Sequence, residues 1–140
     1  MLLNKKSGLL VAADRFDAEA PRLDLLAEKE FGSLFAVHRI DKDRSGIVIY
    51  AKTPEAHRNI SMQFTERTVK KTYHCLVNGH PAWDNFTVDL PLLPDGDDRH
   101  RTVINKKFGK PSVTYLEVVG HCGPYSWINS CQHQNRSEVY

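Results

Sequence analysis

The sequence predicts an α+β chain, mainly an antiparallel mixed sheet flanked by helices. Three observations carry that expectation. Val69, Lys71, Tyr73, Cys75 and Val77 alternate with Lys70, Thr72, His74 and Leu76, the two-residue period of a strand. Residues 112–119 are dense in β-branched side chains, which suit a pleated surface. Thr53-Pro54-Glu55 opens a helix: Thr caps, Pro occupies the first turn where its missing N–H costs nothing, and Glu meets the positive end of the dipole. Strands that mostly follow one another favour antiparallel pairing.

Taken in order, Leu9-Leu10-Val11-Ala12-Ala13 follows Ser7-Gly8 and reads as a buried strand after a turn. Residues 17–31 suit a helix with Leu23, Leu25, Leu26 and Phe31 apolar and Gly32 as C-cap. Leu34-Phe35-Ala36-Val37 is a short apolar run entering a polar loop, and residues 47–51 form the next strand. In the helix begun at Thr53, Ala56, Ile60 and Phe64 recur at four-residue spacing and give one buried stripe, ending near Arg67. The strand over 69–77 stops at Asn78-Gly79. Residues 81–109, rich in Pro, Gly and Asp, predict loops with short strands at 86–88 and 102–104. After the strand at 112–119, residues 120–140 have no usable periodicity and read as an irregular tail. No internal repeat and no linker interrupts the chain.

The 140 residues allow one domain with a real core. Hydrophobic content of 41% and charged content of 26% describe a soluble globular protein. No apolar run approaches the ~20 residues that span a bilayer, so no membrane partner is expected. Met1-Leu2-Leu3-Asn4-Lys5-Lys6 lacks the layout of a secretory signal, and a cytoplasmic location is expected. Three cysteines, odd in number and irregularly spaced, argue against a disulfide framework. His121, Cys122, Cys131 and His133 match none of the strong zinc spacings, so no metal is expected. A net charge of +2 is only mildly basic. The cations are unevenly spread, however: Arg99, Arg101, Lys106, Lys107 and Lys110, with His100, crowd one window, and Arg67, Lys70 and Lys71 another. Such patches hold nucleic-acid phosphates or are solvated surface.

The most informative stretch runs from His38 to Gly46, His-Arg-Ile-Asp-Lys-Asp-Arg-Ser-Gly, which places Asp41 between cations on a turn entering the strand at 47–51. Asp, Ser and Gly favour turns, and a polar segment between apolar runs presents a reactive group on a rigid scaffold. On composition alone it is equally a solvated charged loop.

These residues resemble the signature loop of the RluA-type family of RNA pseudouridine synthases: His-Arg-Leu-Asp, two variable residues, Thr-Ser-Gly, then an apolar strand ending in Ala-Lys, here Ala51-Lys52. Phe64, Arg67, Val69, Lys71, Tyr73, Val77 and Gly79 are similar to a downstream family segment, and residues 109–115 to a later Gly-Lys strand. Asn4-Lys5-Lys6-Ser7-Gly8 is similar to the family's Asn-Lys-Pro-x-Gly near the start of its catalytic domain. The resemblance covers about residues 3–119, a partial catalytic domain. It implies cofactor-free isomerisation of uridine to pseudouridine in structured RNA, either rRNA or tRNA. Asp41 is then the essential carboxylate, as nucleophile or as base. Tyr73 lies against the target base, unless it is a buried strand tyrosine with its hydroxyl satisfied. RNA contacts fall to His38, Arg39, Arg44, Lys71, Arg99, Arg101, Lys106, Lys107 and Lys110. Neither the resemblance nor the residues indicate an oligomeric state.

Two departures qualify this. Arg44 stands where the family has Thr. The family also continues to a Gly-Arg-Thr-His-Gln-Ile-Arg-like segment whose cation pairs with the catalytic aspartate, and residues 120–140 do not resemble it. The sequence therefore predicts a chain truncated at its C-terminus, with a catalytically impaired homologue that at most binds RNA as the alternative.

Overall fold

The computed structural model of the chain describes residues 1–13, 19–99 and 101–133. Where the sequence shows no linker, the fold divides into two units, Met1–Thr68 and Val69–Tyr140.

The first unit contains strands β1 (Leu2–Lys5), β2 (Phe35–Ala36) and β3 (Gly46–Ala51) and helices α1 (Leu23–Phe31) and α2 (Pro54–Thr65). The strands form an antiparallel sheet in the order β1-β3-β2. Central β3 carries the core: Val48 and Tyr50 are buried and pack with Val11, Ala27 and Leu34, while Ile47 on the opposite face is exposed. Helix α2 starts as predicted, with Thr53 Oγ1 accepting from the Ala56 N–H at 3.2 Å. Its predicted stripe of Ala56, Ile60 and Phe64 is half-buried rather than fully enclosed. The helix ends in a left-handed residue, Arg67 at φ 60°.

Residues 9–13 are not the predicted strand. Leu10 makes one parallel bridge to Arg22, the only parallel pairing among the described residues. Its carbonyl and that of Val11 accept from the Leu23 and Asp24 N–H groups at 2.8 and 3.1 Å. The first turn of α1 has orphan donors and its N-cap, Arg22, supplies no side-chain bond, so this backbone satisfies them. The predicted helix accordingly begins at Leu23, just past Pro21, rather than at residue 17; Asp17 and Ala18 lie outside the described residues.

The buried Tyr50 hydroxyl donates to the Val11 carbonyl at 3.2 Å. Burial, reinforced by Asp24 and Glu28, pushes its pKa up to about 12. A pKa raised by folding stabilises fully below the ordinary value of 10.0, and that contribution is lost as pH rises from there through about 12. Phenolate absorbance should show one of the five tyrosines titrating late, and Tyr50→Phe should remove that component. A late step that survives the substitution would assign it to another ring.

The second unit has no helix among its described residues, so the flanking helices expected for the whole chain belong to the first unit alone. Strands β4 (Lys71–Asn78), β5 (Asn85–Asp89), β8 (Val113–Cys122) and β9 (Tyr125–His133) form an antiparallel sheet ordered β4-β9-β8-β5. A separate ribbon pairs β6 (Leu92–Leu93) with β7 (Val103–Ile104). The irregular tail expected over residues 120–140 is corrected for residues 120–133, because β9 is a central strand paired to β4 over Tyr125–Gln132 and to β8 over Tyr125–His133; residues 134–140 lie outside the described residues. Its period was concealed by polarity. Ser126, Ile128 and Ser130 share one face and Tyr125, Trp127, Asn129 and Cys131 the other, so the inward face is mostly serine. Ser126 is nevertheless fully buried. Its hydroxyl donates to the Gly79 carbonyl at 2.8 Å and lies 2.8 Å from His121 Nδ1, which satisfies it without an apolar side chain.

Candidate active site

The loop from Val37 to Ser45 is pinned to the first unit from below. Ile40 packs against the core while Arg39 and Asp41 on either side are exposed. Lys5, at the end of β1, is fully buried. Its ammonium donates to the carbonyls of Lys6, Leu9 and Lys42 at 3.0, 2.6 and 2.9 Å, which uses all three of its donors. Gly8 donates its N–H to the same Lys42 carbonyl at 2.9 Å, from a left-handed φ of 84° that other residues adopt only with strain. Ser7 Oγ donates to the Asp43 carbonyl at 2.8 Å. The N-terminal segment thus sets the height of the loop on both sides of residue 42.

His38 serves the scaffold. Its Nε2 accepts from the Ile49 N–H at 3.1 Å, which assigns the ring proton to Nδ1, and the ring stacks on Phe64 of α2 at 4.8 Å. Asp41 projects from the top, its side chain 73% exposed, with Oδ2 3.0 Å from Arg44 Nε. The Arg44 N–H donates to the Asp41 carbonyl at 3.1 Å, so a backbone turn brings the two side chains together. Lys5 answers electrostatically to this site: burial lowers its pKa, against the opposing fields of Asp43 and Asp41.

Lys5 is the residue sequence reasoning passed over. A signal existed, because strand alternation from Leu3 puts position 5 on the inner face.

Of the other expected site residues, Lys71 and Tyr73 lie on β4 of the second unit, both half-buried. Tyr73 faces Ser130 across the β4–β9 ladder. The cation cluster lies on the β6–β7 ribbon and its flanking turns, with Arg99, Arg101, Lys106, Lys107 and Lys110 all exposed; His100 lies outside the described residues. Arg101 is not a free cation: its Nη2 and Nε meet Asp97 Oδ2 at 2.6 and 2.7 Å. That side-chain bond, with backbone N–H groups of Arg101 and Arg99, holds the Asp97 carboxyl below its usual range despite some desolvation. Asn105 Oδ1 accepts from the N–H groups of Lys107 and Phe108, shaping the turn that displays Lys106 and Lys107. Lys107 Nζ sits 5.0 Å from the Phe108 ring centre.

A sequence profile for RNA pseudouridylate synthases matches residues 1–138, through β9 as well as the signature loop. The chain belongs to the RNA pseudouridylate synthase family. It is similar to the dual-specificity RNA pseudouridine synthase RluA of Salmonella typhi, 36% identical over 119 residues. Identity to RluA of Escherichia coli K12 is the same. In each case the match covers 85% of this chain and 54% of the relative, so this synthase-family chain spans about half the length of those proteins. Among solved structures it is similar to human RNA Pseudouridylate Synthase Domain Containing 1, with TM-score 0.78 at 24% identity. Human RNA Pseudouridylate Synthase Domain Containing 4 gives 0.72 at 20%. Each of these matches covers 97% of this chain and 56% of the human one, and at such identities they establish the shared fold.

Proposed function

We propose that this chain isomerises uridine to pseudouridine in structured RNA, rRNA or tRNA, with Asp41 as the essential carboxylate and no cofactor. One observation carries the reading: the family's signature loop here holds a solvent-facing carboxylate on a backbone anchored by a fully buried lysine. In the reaction the N1–C1′ bond breaks, the uracil turns, and a C5–C1′ bond forms. C5 gives up a proton and N1 finishes with one, so no oxidant or reductant is consumed. A carboxylate suits either role open to Asp41, trapping the sugar centre or taking a proton from it. Tyr73 would lie against the base, which must leave its stack to react. Arg39 beside Asp41, and Lys71, Arg99, Lys106, Lys107 and Lys110 in the second unit, would meet phosphates, whereas Arg44 is paired with Asp41. Arg101 joins them only by sharing its guanidinium with Asp97. The cysteines at 75, 122 and 131 are free thiols, which fits a reducing, cytoplasmic setting.

The test is incubation of the whole chain with cellular RNA lacking pseudouridine, followed by nucleoside chromatography. New pseudouridine is expected. RNA affinity should also fall about a hundredfold between ~50 and ~200 mM salt if about four cations contact phosphates. Salt-sensitive binding without product would instead make the chain an RNA-binding homologue, and salt-indifferent binding would remove the basic ribbon from the interface.

A further inference from the structure

We propose that Arg44 is the positioning residue of Asp41, an inference that rests on Asp41 carrying the chemistry proposed above. Two bonds link the pair within one turn: the Arg44 N–H to the Asp41 carbonyl at 3.1 Å, and Arg44 Nε to Asp41 Oδ2 at 3.0 Å. The first fixes the separation of the two backbones. The second then sets the side-chain torsions of Asp41, the remaining freedom on a loop whose residues 40, 42 and 43 are already anchored.

The nearest buried cation cannot take this part. All three ammonium donors of Lys5 are spent on carbonyls, none of them on a carboxylate. Arg44 therefore supplies the positive partner that Asp41 needs for a second reason. An uncompensated carboxylate on an exposed loop is repelled by RNA phosphates, whereas a carboxylate paired in contact presents little net charge to them. A guanidinium suits the task because it stays charged and its Nε–H lies in the rigid plane, pointing in a fixed direction. The pair is also open to water, with the Arg44 side chain 55% and the Asp41 side chain 73% exposed. Such pairs are weak and screened by salt, so Arg44 orients Asp41 without locking it.

Steady-state turnover separates this role from a phosphate contact. Arg44→Gln should lower kcat about two- to fivefold, the scale of an exposed pair, with KM changed less than about twofold. Arg44→Lys should recover part of kcat, since it keeps the charge and loses the fixed donor. A rise in KM with kcat intact would overturn the proposal and make Arg44 an RNA contact. The second measurement needs no turnover: the Nε–H resonance of Arg44 in ¹⁵N-labelled protein should move on Asp41→Asn, and a resonance that stays put overturns the pairing. Failure of the parent chain to form any pseudouridine is a failure of the catalytic reading, and the Nε–H resonance then decides the pairing by itself.

Discussion

Asp41→Asn should abolish pseudouridine formation while leaving the fold intact. The amide keeps the shape of the side chain but can neither attack a sugar centre nor take a proton, so a loss of at least ~10²–10⁴ in kcat is expected. Folding should be nearly indifferent. The loop is held through the Lys42 and Asp43 carbonyls and the Ile40 side chain, none of which the substitution touches. A change of an exposed side chain of this kind costs within about 0.5 kcal/mol. Urea midpoints and product yield, measured on the same preparation, should therefore part company. Equal product from parent and variant would remove Asp41 from the chemistry, and a large fall in midpoint would turn its role into a structural one.

Lys5→Met should have the opposite signature, a large loss of stability. Methionine retains the unbranched apolar stem, so the change isolates the ammonium. It leaves the carbonyls of Lys6, Leu9 and Lys42 without that donor beneath the loop. The Lys42 carbonyl keeps the Gly8 N–H, but those of Lys6 and Leu9 lose the ammonium, and a hydrogen bond to a charged group contributes about 1.5–3 kcal/mol, so a loss of a few kcal/mol is expected. That is a large share of the ~5–15 kcal/mol that stabilises a typical domain. Urea unfolding of the first unit checks it; a change under about 0.5 kcal/mol would show that the carbonyls find other partners. Lys5 is no simple stabiliser, because burial lowers its pKa. A base with a depressed folded pKa binds fewer protons folded than unfolded, so its contribution improves as pH rises through that pKa toward 10.5.

The readable elements were those in which local preference and tertiary packing agree. Thr53-Pro54 began α2 as predicted, because its cap and first turn are satisfied within the segment. The strand read over 69–77 appears as β4 at Lys71–Asn78, because its alternation matches the half-burial of Lys71, Tyr73 and Val77, with Cys75 on that side exposed. Residues 9–13 misled because apolar content does not say what their backbone groups bond to, and they bond to the start of α1. Strand β9 was illegible because its buried face is built around serine, whose burial depends on partners at Gly79 and His121 from two other parts of the chain.

The site divides in the same way. From the sequence alone came the family, the candidate carboxylate and its turn, since Asp41-Lys42-Asp43-Arg44-Ser45-Gly46 is local chemistry written in consecutive residues. Tertiary structure decided what holds that turn. Lys5 lies far from Lys42 in sequence, and only the antiparallel pairing of β1 with β3 delivers its ammonium to the Lys42 carbonyl. Which cations are committed, Arg44 to Asp41 and Arg101 to Asp97, follows from local turns three and four residues long and is read only from side-chain distances. A sequence counts charges, whereas distance and burial determine which are already spent, because electrostatic and hydrogen-bond energies depend on separation and on the water between groups.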